Sequence, residues 1–431
     1  MEKATEMDSK AWLQRLKEES WEAELLVSAI AIFGAFQLFG IVDWGTNRFI
    51  DFLHPDQYFL GYAIAYCGLL AVSMVACMFV IHFCLRSYWV GLVGLNSVFP
   101  DYSVEDSFHS KIYTEKFTAL LPTLKDSINR VDELCSVIFA SAFCLLLVYA
   151  YFALLLTFGL FAFNFLSNYI PASTVLIPVY LIGVLMFSNF ILSMIANLKR
   201  FKDYEKLQLM YFWNTYILNL LTLGPFYKSI LQITMIFGSN FKKNKSLGIL
   251  VMVFFLCGMS YSLFAIGQTK LMYLIYSDFF EDTTRAYSEN YKDQNQTLTF
   301  LPAPEIKSDV ISQPVFKLFV PLFRYEKSLL EFEACNKQQD ISDLEGQELA
   351  LARQQKMKCY DAYHEVRLNG ELVTNSFKRS LHARTDQAGL LTFISLDSSD
   401  IGNNTLTIKK HFNDEFSKEW HIAFYYAPSA D

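Results

Sequence analysis

Charged residues are missing from long stretches in the first two thirds of the chain. The longest of these stretches runs for 65 residues, from Leu134 to Leu198, without one Asp, Glu, Lys, Arg or His. About 20 apolar residues suffice for one helical crossing of a bilayer, so this stretch is long enough for two crossings. A water-soluble globular fold is therefore excluded for this part of the chain.

The chain also lacks the short motifs that mark common catalytic and binding sites. It has no phosphate-binding Gly-rich loop, no H-E-x-x-H, no paired-Cys zinc spacing and no G-x-S-x-G. We therefore expect no metal and no cofactor, and no catalytic residues are indicated. The formal charge of −7 provides no basic surface for nucleic acid, which is not expected as a partner.

The composition changes abruptly near residue 276. Of the 36 Lys and Arg, 19 precede residue 277 and 17 follow it, whereas the 43 Asp and Glu divide into 19 and 24. The net charges of the two parts are therefore 0 and −7. This division predicts an α-helical membrane bundle over 25–276, a polar neck over 277–297 and a soluble domain over 298–431.

Four uncharged windows predict about five transmembrane helices. The 65-residue stretch divides at 168–174, because the Pro and small polar residues of that segment favour a turn. Residues 1–24 carry mixed charge and predict a cytoplasmic amphipathic segment, not a cleavable signal peptide. The predicted helices lie at 25–42, 57–81, 134–166, 174–197 and 246–269.

The basic residues in the short loops predict the orientation of the chain. Cytoplasmic loops are enriched in Lys and Arg, and residues 1–24, 86–133 and 199–245 hold 17 of them against two on the other face. The N-terminus is therefore expected in the cytoplasm and residues 298–431 outside it. A bacterial inner membrane with a periplasmic C-terminal domain is the expected location.

Segment 207–240 is largely apolar, but Gly224-Pro225 interrupts it and basic residues flank both of its ends. Both ends therefore favour the same side of the membrane. We expect a re-entrant or interfacial helical hairpin here, with an extra pair of crossings as the alternative. Either arrangement leaves the C-terminal domain outside the cytoplasm.

Alternating apolar residues after Pro304 predict an all-β, immunoglobulin-like sandwich. Asn369-Gly370 lies between two alternating runs and is a strong hairpin signal. The charged, Gln-rich segment 340–358 predicts a helical insertion in this domain. The strand-like runs are 315–320, 363–368, 389–396, 404–409 and 420–426.

Cysteine usage differs between the two parts of the chain. Six of the eight cysteines lie in or beside the membrane helices, where Cys behaves as a small apolar residue. Cys335 and Cys359 flank the predicted insertion in the domain assigned to the oxidising side of the membrane. We therefore expect a disulfide between them, with two free thiols as the alternative.

Few polar side chains occur within the predicted membrane helices. His82 and Arg86 lie near the inner end of the second helix and are expected to anchor it at the interface, with a gating or lipid-headgroup role as the alternative. Asn189, Ser193 and Asn197 recur every four residues and form an intramembrane polar stripe. We expect this stripe to make interhelical hydrogen bonds, and the lining of a hydrophilic path is the alternative.

Other titratable residues give weaker hypotheses. Acidic residues and one histidine of the first outer loop are expected to be solvated, not catalytic; they are Asp43, Asp51, His54 and Asp56. The histidines of the soluble domain each stand alone in a β-like segment and are expected to be surface or strand residues, not metal ligands. They are His364, His382, His411 and His421.

Three classes of function are compatible with these features. The first is a membrane subunit that acts by protein association, as a scaffold, assembly factor or sensor of an envelope complex. Its expected partners are the lipid bilayer and another envelope protein or a second copy of the chain. The alternatives are a channel or transporter subunit and a membrane enzyme that acts on lipid or glycan.

Overall fold

The computed structural model describes residues 21–99, 109–167, 169–241, 245–275, 280–330, 335, 345–373, 376–397, 400–414 and 416–428. These residues fall into two compact units. One lies within Met1–Val42 and Ile64–Ala265, and the other within Asp43–Ala63 and Ile266–Asp431. The amphipathic segment predicted at 1–24 lies almost entirely outside the described residues.

The first unit is built from α-helices. A short helical turn, Ala172–Val175, precedes the fifth of them. The first two helices also contribute residues to the second unit. The helices are α1 Trp21–Phe52, α2 Tyr58–Val98, α3 Lys111–Leu120, α4 Leu124–Leu166, α5 Ile177–Ala196, α6 Glu205–Leu223, α7 Tyr227–Phe241 and α8 Lys245–Ile266.

Four described helical segments are long and apolar enough to cross a membrane, and the chain is an integral membrane protein by this criterion. The segments are Glu22–Phe52, Pro55–Val98, Lys111–Leu166 and Ser173–Ala196. Met252–Ile266 is a shorter apolar helix in the region of the fifth predicted crossing. α2 contains 41 residues and spans about 60 Å, so it extends well beyond a hydrocarbon core of about 30 Å.

A buried apolar cluster joins α1, α2, α4 and α8 in the first unit. α2 and α8 approach closely at Gly258, where an added Cβ would lie 2.3 Å from Met74 Cγ and 3.1 Å from Met74 Cα. Glycine at this position therefore permits the helix contact. The cluster contains Ala35, Val75, Ala76, Met78, Phe79, Ile138, Ala142 and Phe254.

Segment 207–240 contains two helices separated by a turn. A 3-10 turn at Gly224–Phe226 separates α6 from α7, and Gly224 has a φ of 52°, which favours glycine. The Tyr151 side chain of α4 occupies the space that a side chain at Gly224 would need. α6 runs antiparallel to α5, because Gln208 bonds to the Ala196 carbonyl, Tyr211 to Ser193 and Asn214 to Ser188.

The second unit is rich in β-structure. Two sheets are formed, with strand orders β1-β8-β7-β3-β4 and β2-β6-β5. All five strand-like runs of the sequence coincide with strands, and Asn369-Gly370 turns β3 into β4 with φ angles of 51° and 90°. The strands are β1 Val310–Ile311, β2 Val315–Pro321, β3 His364–Leu368, β4 Glu371–Leu372, β5 Lys378–Leu381, β6 Ala388–Ser395, β7 Gly402–His411 and β8 Ser417–Tyr426.

One helix, α9 (Gly346–Tyr363), precedes β3 and lies in the region of the predicted insertion. It ends five residues later than the predicted segment, because Cys359, Tyr360 and Tyr363 are buried against the unit. The first residues of the predicted segment, 340–344, lie outside the described residues. The insertion is therefore helical where the structure describes it.

A buried ion pair links the two sheets. Lys410 of β7 is fully buried, and its Nζ lies 2.6 Å from Glu326 Oε1 and 2.7 Å from the carbonyl oxygen of Pro321 at the end of β2. The rings of Phe316 in β2 and Phe424 in β8 provide an apolar contact between the same sheets, with centroids 5.2 Å apart. Both contacts depend on residues that are distant in sequence.

Candidate functional site

A cavity lies in the second unit where β1 and β2 separate. The segment that leads into β1 forms a backbone bridge with β2 at Glu305 and Phe319, with N–H to oxygen contacts of 2.9 and 3.0 Å. Beyond this bridge the two segments diverge, because β1 pairs with β8 in the other sheet. The space between them is a cavity of about 560 Å³, which we call the seam cavity.

Glu305 and His382 line the inner part of the seam cavity, and Arg384 pairs with Glu305. His382 lies with its Nε2 2.9 Å from Glu305 Oε2, and Arg384 Nη2 lies 2.5 Å from Glu305 Oε1. The backbone N–H of Thr385 donates to His382 Nδ1 at 3.3 Å, so His382 donates to Glu305 through its Nε2. Both histidine nitrogens are therefore engaged, and the charge of Glu305 is compensated by Arg384.

Exposed lysines surround the opening of the seam cavity. Lys292, Lys307 and Lys317 line it together with one exposed acidic residue, Asp293. The register of the Glu305–Phe319 bridge places Lys307 opposite Lys317 across the gap. This grouping of positive charge occurs in a region, 277–431, whose net charge is −7.

The outer edge of β2 is open beside these lysines. Leu396 N–H bonds to the Pro314 carbonyl on the β6 side, whereas Phe319 bonds to Glu305 on the other side. Because backbone groups alternate in direction along a strand, those of Val315 and Lys317 point away from β6 and toward the cavity. An open strand edge of this kind can pair with an extended chain.

Exposed apolar side chains flank the same opening. Val310 is 56% exposed, Val315 is 45% exposed and Phe393 is 60% exposed. Phe393 lies directly opposite Lys317 in the β2–β6 ladder, so an aromatic ring and an ammonium group are neighbours on one face of the sheet. The site therefore combines backbone donors and acceptors, positive charge and apolar surface.

The structure contains a disulfide between Cys335 and Cys359, whose Cα atoms are 4.8 Å apart. Cys359 is fully buried in the last part of α9. The bond therefore attaches this helix to the segment that precedes it.

The four histidines of residues 298–431 are not grouped together. Burial lowers the pKa of His364 well below its usual value, and its Nδ1 lies 2.8 Å from the Tyr360 carbonyl oxygen. His411 and His421 lie beside Glu365 and Glu419 at 3.6 and 3.3 Å. The described residues contain no cluster of three or more His, Cys, Asp or Glu that could hold a metal ion.

The polar stripe of α5 faces α6. Asn189 Oδ1 accepts a hydrogen bond from Thr215 at 2.8 Å, and Ser193 Oγ accepts one from Tyr211 at 3.4 Å. Asn197 instead donates to the Ser193 carbonyl within its own helix at 2.8 Å. Two of the three stripe residues thus contribute hydrogen bonds between helices.

His82 and Arg86 are both buried in the first unit, at 0% and 1% exposure. Arg86 Nη1 lies 2.7 Å from Asp132 Oδ1, and its Nη2 lies 3.1 Å from Glu24 Oε2. The guanidinium is therefore enclosed between helices. We call Arg86, Glu24 and Asp132 the arginine cluster.

Sequence reasoning missed the two acidic partners of Arg86. Glu24 directly precedes the first uncharged window, and Asp132 lies two residues before the longest one. An uncharged window by definition ends before a charged residue, so it does not include Glu24 or Asp132. The helices α1, α2 and α4 each extend past these ends and bring the three residues together.

The candidates of the first outer loop have separate partners. Asp51 accepts a hydrogen bond from the Arg324 backbone at 3.1 Å, and His54 lies 3.0 Å from Asp56. Asp43 lies 4.0 Å from Lys270 at a second cavity of about 480 Å³. These residues do not converge on one point, as a catalytic pair of acid and base would.

Comparisons with known proteins add no functional assignment. No family model matches the chain, and neither a curated protein nor a solved structure does. The seam cavity and the arginine cluster are therefore interpreted from their own geometry.

Proposed function

We propose that this chain is a non-enzymatic membrane subunit that works by protein association. Its extracytoplasmic C-terminal domain is the part that binds, and the chain serves as a scaffold, assembly or sensor component of an envelope complex. The observation that carries the proposal is the seam cavity, where an open strand edge, exposed apolar residues and three lysines meet. Exposed strand edges that natural proteins leave uncovered are suited to partner binding.

The proposal includes a finer description of the fold and its orientation. The C-terminal domain is an immunoglobulin-like sandwich of the two sheets, which the buried contacts of Phe316 with Phe424 and of Lys410 with Glu326 support. The bundle has five crossings, with α8 as the fifth. Its N-terminus is cytoplasmic in a bacterial inner membrane, because 17 of 19 loop Lys and Arg favour that side.

Deletion of residues 298–431 tests this function. The remaining bundle should still insert into the membrane, because the four long apolar helical segments all precede residue 298. Partner proteins that co-purify with the full chain from native membranes should be lost. Retention of every such partner by the inserted, truncated chain would refute the proposal.

A channel or transporter subunit is the second candidate, and the arginine cluster is the observation that favours it. Charged side chains inside a bilayer are costly and often mark ion or proton pathways. Arg86 is buried between two carboxylates, and Ser28 Oγ lies 2.8 Å from His82 Nδ1 nearby. Ion or solute flux through liposomes that contain only the purified chain would establish this alternative.

A further inference from the structure

We infer that the seam cavity binds an extended, acidic peptide segment of a partner protein, which adds as a strand to the open edge of β2. This inference rests on the proposed function and specifies the chemistry of the partner. It commits to one occupant, a peptide in strand conformation with carboxylate side chains. The argument has three steps, which concern the backbone, the charge and the size of the site.

The backbone of β2 offers unpaired groups in the right direction. Among the described residues, Phe319 makes the single bridge on the side of β2 away from β6. Val315 and Lys317, which are two residues apart, present their N–H and C=O groups on that same side. A peptide strand placed there would continue the three-stranded sheet and satisfy these groups, which is the mode called strand addition.

Charge selects acidic side chains on the bound strand. Lys307 and Lys317 face each other across the gap and Lys292 lies beside them, while Asp293 is the one exposed acidic residue that lines the cavity. Glu305 also lines it, but Arg384 and His382 already engage both of its carboxylate oxygens. The opening is therefore positive within a domain that is otherwise acidic, and complementary charge favours a carboxylate-bearing partner.

The size of the cavity fits side chains of a strand and not a folded surface. Its volume of about 560 Å³ is in the range of pockets that take a small ligand or a few side chains. Residues that alternate along a strand point to opposite faces, so every second side chain of the peptide would enter the cavity. The exposed ring of Phe393 would cover an apolar residue of the same peptide.

A peptide-display selection tests the inference on the full-length protein in lipid nanodiscs. A library of random octapeptides is selected on the wild-type protein, and individual clones are then measured by fluorescence anisotropy. The expected result is enrichment of sequences that contain Asp or Glu and lack Pro in the centre, since Pro cannot donate to a strand ladder. Selected peptides without acidic residues, or no selected peptides, would overturn the inference.

Two variants separate the charge and the backbone contributions. Lys307→Glu with Lys317→Glu should weaken binding of the selected peptides by at least about tenfold, because attraction becomes repulsion. Val315→Pro should weaken it similarly, because its N–H points away from β6 and its loss leaves the existing ladder intact. Lys358→Glu, an exposed substitution on α9, is the matched control and should bind as wild type. Equal affinity of all variants would overturn the inference.

The same variants distinguish this inference from the proposed function. Partner co-purification is measured for the seam variants and for the chain that lacks residues 298–431. If the deletion removes the partners but the seam variants keep them, the docking segment binds elsewhere on the domain and the inference fails alone. If the deletion also keeps them, the proposed function fails. Thermal unfolding of each variant, compared with wild type, shows whether the fold is retained.

Discussion

Glu305 of the segment before β1 forms a backbone bridge with Phe319 of β2. After this bridge the chain continues into β1, which belongs to the other sheet. Beyond this isolated bridge the two segments enclose the seam cavity. Because β1 pairs with β8 in the other sheet, the edge of β2 that faces the cavity stays open. The functional proposal depends on this edge and on the lysines beside it.

The orientation of the chain can be tested with single introduced thiols. In a background in which the six free cysteines are replaced, Asp400→Cys should react with an impermeant maleimide only from outside the cytoplasm. Asp203→Cys, in the basic segment 199–245, should react only from the cytoplasmic face and serves as the matched control. Labelling of both thiols from the same side would contradict the proposed topology, which places them on opposite faces of the membrane.

Lys410→Met should destabilise the C-terminal unit by about 3–5 kcal/mol, because it leaves Glu326 buried without its cation. Adding Glu326→Gln should recover part of this loss, since the neutral amide can still accept from the Phe323 N–H. Pulse proteolysis of the full chain in increasing urea measures both effects. A single variant as stable as wild type would show that the ion pair does not join the sheets.

The stability of the C-terminal unit should fall as the pH drops below about 6.5. Burial lowers the pKa of His364 in the folded state, so the unfolded chain binds a proton that the native one excludes. Stability therefore rises with pH across this window, by at most about 1.4 kcal/mol per pH unit for one histidine. His364→Gln should flatten the slope, whereas His411→Gln, at a partly exposed position, should not. Identical slopes for all three proteins would rule out His364 as the cause.

Arg86→Met should lower the thermal stability of the purified bundle strongly, because Glu24 and Asp132 lose the cation that they share. The loss should be of the order of 3–5 kcal/mol, and combining Arg86→Met with Glu24→Gln and Asp132→Asn should reduce it. Arg48→Met, at an exposed position of α1, is the control. Full stability of Arg86→Met would assign the cluster a role other than holding the helices together.

The sequence predicts the local features of this molecule well and its long-range features poorly. The strands and the Asn369 hairpin follow from alternation and from turn chemistry, which are properties of neighbouring residues. The seam cavity depends on the pairing of β1 with β8 near the end of the chain, and no local pattern encodes that pairing. The arginine cluster likewise joins residues from three helices that uncharged windows treat separately.

Whether a polar residue is buried or exposed depends on contacts that are distant in sequence. The sequence marks His82 and Arg86 as unusual polar residues beside an apolar window, but their burial depends on the neighbouring helices that cover them. Lys410 and Glu326 appear in the sequence as ordinary charged residues, although both are enclosed between the sheets. A charged side chain is stable in the interior only when it is paired, and its partner is known only from the fold.

Site-specific photo-crosslinking in living cells tests the central claim most directly. A photoreactive phenylalanine analogue replaces Phe393 beside the seam cavity, and in a parallel strain it replaces Leu351, which is 65% exposed on α9. Association through the seam predicts a protein adduct of defined mass at Phe393 and none at Leu351. Absence of an adduct at both positions would contradict the account.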